Sequence, residues 1–214
     1  MIKQEVLTYL EKLIPGRTPY VEEMEQYAGL HGVPIMEKTG VELLLLLLSM
    51  QQPKKILEIG TAIGYSAIRM AMKLPEAEII TIERDETRYQ QAREYITKLN
   101  LETRIHLLLG DALEISEEVR KQGPFDALFI DAAKSQSRGF FNLYEPMLAK
   151  QGLIITDNVL FKGIVAKDVS EIDSRNVRQL VRKINTYNEW LYTLPNYETT
   201  IIPVGDGIAV SRSL

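Results

Sequence analysis

The stretch Lys55-Ile56-Leu57-Glu58-Ile59-Gly60-Thr61-Ala62-Ile63-Gly64-Tyr65-Ser66 decides the fold. Its first half is a short apolar run, as in a buried strand. Its second half is a glycine-bearing loop that leads into an amphipathic segment over residues 64–74. The same rhythm repeats downstream. Apolar runs at 55–60, 78–83, 104–110, 127–131 and 153–156 read as strands. Segments 64–74, 86–99, 112–121 and 140–148 read as the helices between and after them. Continuous apolar strands alternating with amphipathic helices predict an α/β fold, a Rossmann-like parallel sheet covered on both faces.

Working outward, residues before Pro53 read as helices. Val6, Leu7, Leu10, Leu13 and Ile14 recur at helical spacing until Pro15-Gly16. A second helix starts near Thr18-Pro19 and stops by Gly32, and a third covers 37–50. The six leucines Leu43–Leu48 leave that third helix no polar face, so it is expected to be buried nearly all round. Beyond residue 172 a long helix runs to about Tyr192. Two short strands around Gly205-Asp206-Gly207 then read as an antiparallel hairpin. The organisation expected is one domain over 1–214, with a helical extension (1–52) and an α/β core (53–214).

Composition removes several chemistries. With no Cys there is no disulfide, thiolate zinc site, iron–sulfur cluster or cysteine nucleophile. Two distant His make a His-rich metal site improbable, so any metal must sit on oxygen ligands. The net charge of −4 argues against a protein that coats nucleic acid broadly. The N-terminal MIKQEVLTYLEKLI is too charged for a signal-peptide core, and the apolar run 41–50 is too short to span a bilayer. A cytoplasmic protein is the expectation.

The loop after the first strand is neither GxGxxG nor a Walker loop, because its spacing is Gly60-x-x-x-Gly64. Glu58 at that strand's end suits a cationic ligand better than a pyrophosphate. Glu83, ending the second strand, is placed to accept ribose hydroxyls. Gly110-Asp111-Ala112, ending the third, offers groups that read an adenine edge. Each acid is also an ordinary helix cap taken alone. Their order at successive strand ends favours a nucleoside site.

The fourth and fifth strands end in Asp131 and in Asp157-Asn158. Adjacent parallel strands bring these ends to one edge, where three oxygen ligands form a hard-cation set suited to Mg²⁺ or Mn²⁺. Such a set leaves about three positions on an octahedral ion, enough for two neighbouring acceptor oxygens and a water. Lys134, three residues after Asp131, faces the same site as a candidate general base. Helix caps and a surface lysine are the plainer readings of these residues.

The series E-I-G-x-x-x-G, Glu83 and Gly110-Asp111 resembles the class I S-adenosylmethionine-dependent methyltransferases. That resemblance implies a seven-stranded, mostly parallel sheet ending in an antiparallel hairpin. It also implies the sulfonium and amino-acid end of the cofactor near Glu58, Gly60 and Tyr65, ribose on Glu83, and adenine near Asp111 and Ala112. Asp131-x-x-Lys134 with Asp157-Asn158 narrows the likeness to the metal-dependent O-methyltransferases of the catechol and caffeoyl-CoA type. Met36, within Val33-Pro34-Ile35-Met36, then becomes a cofactor contact, as do Ser66 and Asp131. Within that family, Ile155–Gly163 and VPIMEK are similar to the bacterial tRNA 5-hydroxyuridine methyltransferases. This implies 5-methoxyuridine formation at the tRNA wobble position, and the family resemblance implies a homodimer.

The motif asks only for two vicinal oxygens on the acceptor. A catechol has them, and so does 5-hydroxyuridine. A small catechol-like or hydroxycinnamoyl acceptor is therefore the alternative to tRNA. Arg175, Arg178 and Arg182 fall on one helical face opposite the apolar stripe, either as a solvated face or as a phosphate contact for tRNA. Phe161 and Tyr65 are candidates to stack on a base, or to pack in the core. A nucleotide-dependent oxidoreductase lacks GxGxxG. A non-enzymatic RNA-binding module leaves Asp131, Lys134, Asp157 and Asn158 without a purpose.

Overall fold

The computed structural model describes residues 4–214; residues 1–3, the start of the segment read as too charged for a signal peptide, lie outside it. Three helices open the chain: α1 (Gln4–Leu13), α2 (Pro19–His31) and α3 (Lys38–Gln51). Pro19 occupies the first position of α2, where a missing N–H costs nothing, and Gly32 closes that helix in the left-handed region (φ 63°).

The alternating part follows as β1 (Lys55–Ile59), α4 (Tyr65–Lys73), β2 (Glu78–Glu83), α5 (Glu86–Lys98), β3 (Ile105–Leu109), α6 (Ser116–Arg120), β4 (Phe125–Ile130), α7 (Ser137–Tyr144) and β5 (Leu148–Thr156). The chain ends in α8 (Arg175–Leu191), β6 (Tyr197–Ile202) and β7 (Ile208–Ser213). The strands form one seven-stranded sheet in the order β3-β2-β1-β4-β5-β7-β6. β1 to β5 pair in parallel, and β7 runs antiparallel to both β5 and β6. The expected sheet and terminal hairpin are present.

β1 and β4 lie side by side at the centre and are buried along nearly their whole length. Residues of α2, α3, α4 and α5 cover one face in a core that includes Met24, Leu44, Ile68 and Ile96. α7 and α8 cover the other through Phe140, Phe141, Tyr187 and Leu191. The strand order reverses between β1 and β4, which opens a crevice at their carboxyl ends.

The leucine run departs from expectation. Leu44, Leu45 and Leu48 are buried, but Leu46 is 56% exposed, so α3 packs along one side rather than all round. α6 is also shorter than the 112–121 expected. The Asp111 side chain accepts from the Leu113 N–H, and Glu114 bonds back to the Asp111 carbonyl, so a turn occupies the positions before Ser116. α7 starts before Phe140 and gives way to a 3₁₀ turn over Glu145–Met147, which holds Pro146. Among the described residues, no helix is long and apolar enough to cross a membrane.

Candidate functional site

A cavity of about 660 Å³ lies across the carboxyl ends of β1, β2, β3, β4 and β5. It falls in the size range of ligand sites. Of the residues singled out in the sequence, Met36, Gly60, Tyr65, Ser66, Glu83, Asp111 and Ala112 line one end. Asp131, Lys134, Asp157 and Asn158 line the other, with Phe161.

Backbone geometry builds the first end. Gly60 has φ 101°, and a Cβ there would meet the Asp131 carbonyl oxygen at 2.2 Å. Only glycine lets β1 and β4 approach so closely where the loop begins. Gly64 (φ 88°) then turns the chain into α4. The Glu83 carboxylate accepts from the Ala62 N–H (2.7 Å) and from the Arg84 and Asp85 N–H groups (2.9 Å each). An ionised carboxyl has about four lone-pair positions, so Glu83 keeps capacity for a ligand hydroxyl. The Tyr65 hydroxyl donates to Glu25 (2.8 Å), which also meets Arg17 (2.9 Å) and Lys38 (3.0 Å). Burial, then Glu25, pushes the Tyr65 hydroxyl up to about 12. Glu25 thereby ties α2 to the start of α4 beside the cavity, a role its sequence position did not show.

Glu58 differs from the other residues singled out at the strand ends. It is fully buried and does not line the cavity. Strand side chains alternate, and Glu58 falls on the α4 side of β1, where Ser66 and Thr81 donate to its two oxygens. It therefore braces the glycine loop from below, through Ser66, which itself borders the cavity. Burial raises its carboxyl from 4.5 to about 7, against the opposing Ser66 and Thr81 bonds. A raised folded value means the folded chain holds the extra proton between about pH 4.5 and 7, so this contribution to stability falls as pH rises through that window. The effect is on the order of 3 kcal/mol. Glu58→Gln, which cannot ionise, is expected to flatten the pH dependence of thermal unfolding and to unfold higher than the parent above pH 7. An unchanged slope between pH 5 and 8 would contradict this.

At the second end, Asp131 and Asp157 face each other through the Asn158 amide. Asn158 Nδ2 lies 2.9 Å from Asp157 Oδ2 and 3.3 Å from Asp131 Oδ1. Amide oxygen and nitrogen exchange places by a flip, so three side-chain oxygens can converge here. Asn158 adopts φ 66°, a left-handed conformation that Asn tolerates better than most residues. Burial raises Asp131 well above the usual carboxylate range, and Asp157 and Glu58 raise it further. Asp157 rises to about 7 through burial and the nearby Asp206. Two such carboxyls joined by an amide, with Lys134 only partly offsetting their charge, suit a divalent cation. Among the described residues no cluster of three His, Cys, Asp or Glu side chains forms a metal site, and this set has two carboxyls and one amide.

The Lys134 ammonium lies 3.5 Å from Asp206 and 4.8 Å from the centre of the Phe161 ring. Asp206 was read from the sequence only as part of a turn. Arg175, Arg178 and Arg182 do not line the cavity. Arg178 turns back onto the carbonyls of Ile172 and Asp173, which commits its guanidinium within the chain.

The fold is that of the Rossmann-like α/β methyltransferases, with the cavity at the carboxyl edge of the sheet. The profile described as O-methyltransferase matches residues 16–214, and the chain belongs to that family. A candidate caffeoyl-CoA O-methyltransferase from Staphylococcus aureus is 41% identical, with a TM-score of 0.91 over 97% of this chain and 98% of that one. An O-methyltransferase from Bacillus cereus, solved in complex with SAH, is 26% identical over 98% of this chain and 97% of its own, with a TM-score of 0.83. The caffeoyl-CoA O-methyltransferase of Populus kitakamiensis is 29% identical over 96% of this chain and 91% of its own length.

Proposed function

We propose that this chain transfers a methyl group from S-adenosylmethionine to one of two neighbouring oxygens of its acceptor, with Mg²⁺ or Mn²⁺ held by Asp131, Asp157 and Asn158. The convergence of those three side chains beside Lys134, at the far end of a nucleoside-sized cavity, carries this reading. The SAH-bound Bacillus cereus relative supports the donor. When bound, the cation would hold two acceptor oxygens together and ease loss of the hydroxyl proton. The cofactor would supply the methyl group on a positively charged sulfur.

The chain's own residues do the rest. The Gly60 turn gives the donor close access to backbone, and Glu83 accepts from its ribose. Met36 covers it from the α2–α3 linker, since its side chain is buried and borders the cavity. Lys134 takes the acceptor proton at Nζ. Its Nζ stands 3.5 Å from Asp206 and 4.8 Å from the centre of the Phe161 ring, beside the side chains that would hold the cation. Holding donor and acceptor in line accounts for much of the rate.

For the acceptor, the relatives favour a small catechol-like or hydroxycinnamoyl compound. Caffeoyl-CoA is named for the Populus protein, and a flavonoid for a 28% identical Vitis vinifera methyltransferase. A second reading is 5-hydroxyuridine at the tRNA wobble position. It is supported by where its sequence likeness lies. Pro34–Glu37 and the segment containing Asp157, Asn158, Phe161 and Lys162 both border the cavity. With Arg178 committed, Arg175 and Arg182 remain exposed for phosphate. The homodimer implied by the family resemblance is part of the same proposal. Transfer of labelled methyl to a hydroxycinnamoyl thioester, a catechol and tRNA carrying 5-hydroxyuridine separates the acceptors. Labelling of the small acceptors is the expected result, and labelling of tRNA alone selects the second reading. Labelling of none, with S-adenosylmethionine bound, would remove both.

A further inference from the structure

We infer that Asp206 is the positioning residue for Lys134, holding its Nζ beside the metal-ligand set from the hairpin turn and the loop after β5. This inference rests on the reading of Lys134 as the proton acceptor.

An Asp between two glycines ordinarily bonds its own turn. Asp206 does not. One of its oxygens meets Lys134 Nζ at 3.5 Å, 72 residues earlier in the chain. The other accepts the Lys162 N–H at 3.1 Å, 44 residues earlier. Its backbone carbonyl accepts the Leu160 N–H at 2.8 Å. The side chain is only 12% exposed, which is unusual for a carboxylate without partners.

The segment Asp206 grips is itself strained. Phe161, Lys162 and Gly163 all have positive φ, at 45°, 53° and 75°. Two of them carry side chains, and such a run persists only where its surroundings over-determine it. Two N–H groups of this loop, those of Leu160 and Lys162, end on Asp206. The loop conformation so fixed carries the Phe161 ring to 4.8 Å from Lys134 Nζ. Both groups that contact the ammonium are therefore placed by one residue. Gly207 adds a second constraint, because a Cβ there would meet Leu160 at 2.3 Å. The hairpin turn and the loop fit together only as they stand.

The test is a double-mutant cycle in the full chain, with saturating S-adenosylmethionine, Mg²⁺ and whichever acceptor is labelled. Asp206→Asn is expected to lower kcat about a hundredfold. KM for the acceptor and calorimetric affinity for S-adenosylmethionine should stay within about twofold. Lys134→Met alone is expected to lose more. The combined variant should be no slower than Lys134→Met, because Asp206 then has nothing to position. Multiplying losses, or an unchanged kcat in Asp206→Asn, would overturn the inference. If Lys134→Met retains full turnover, the reading of Lys134 fails instead. Should Asp206→Asn not fold, Asp206→Glu decides the matter. It keeps the charge but moves it by one methylene, so it should slow the parent and leave the Lys134→Met chain unaffected; slowing both equally would overturn the inference.

Discussion

Asp157→Ala is expected to abolish methyl transfer, by about a thousandfold or more in kcat/KM, while leaving the fold intact. The argument starts from the cost of the site. Asp157 sits at the end of β5, where burial and Asp206 hold its carboxyl up at about 7, and Asp131 beside it is raised as well. The folded chain thus keeps protons there that the unfolded chain has already lost above the ordinary value of 3.8. This contribution to stability falls as pH rises from about 4 to 7 in the cation-free protein. Removing one carboxyl relieves that, so cation-free Asp157→Ala should unfold no lower than the parent at pH 8. A divalent cation held by the proposed site would reverse the sign for the parent, because it would bind the ionised pair and displace the protons. Mg²⁺ should therefore raise the parent's unfolding temperature more at pH 8 than at pH 6, and should not raise that of Asp157→Ala. Turnover that survives both the substitution and a chelator would remove the metal from the proposal. A variant that loses turnover only because it unfolds would show a lowered melting temperature at pH 8.

Much of this site was legible because strand ends in a parallel sheet are legible. Asp131, Asp157, Asn158, Glu83 and Asp111 each follow an apolar run, and β1 to β5 bring those ends to one edge. Glu58 is the exception among these acids. It lies one position inside β1, and side-chain alternation turns it toward α4. What was not legible depends on distant segments meeting. Glu25 reaches Tyr65 across 40 residues, and Asp206 reaches Lys134 across 72. Nothing local marks either one. Arg178 shares a helical face with Arg175 and Arg182 by spacing. Its partners are carbonyls in the loop before the helix, which spacing cannot reveal. Leu46 is exposed because, among the described residues, nothing covers that side of α3, and a run of leucines says nothing about neighbours.

Gly60→Ala is expected to cost about 4 kcal/mol or more in unfolding free energy and to remove S-adenosylmethionine binding. Two separate effects add here. The residue stands at φ 101°, a conformation that an alanine adopts only under strain. The new Cβ would also lie 2.2 Å from the Asp131 carbonyl oxygen and 2.7 Å from its carbon. Those are backbone atoms, and they are pinned. The Asp131 N–H donates to the Ile59 carbonyl at 2.9 Å, and the Gly60 N–H donates to the Ile82 carbonyl at 3.0 Å. Relief requires β1 and β4 to splay at their carboxyl ends. That displaces both the glycine loop and Asp131, so the donor and cation ends of the cavity are lost together. Gly139 is the control. It lies in α7 with ordinary φ, and a Cβ there meets nothing closer than Leu113 at 3.9 Å. Gly139→Ala should stabilise by about 0.5–1 kcal/mol, through helix propensity alone. Denaturant unfolding of the two variants, with calorimetry of S-adenosylmethionine binding, reads the contrast directly. Equal stability of the two would mean that the close approach of β1 and β4, on which the geometry of the whole cavity depends, is not a feature of the folded chain.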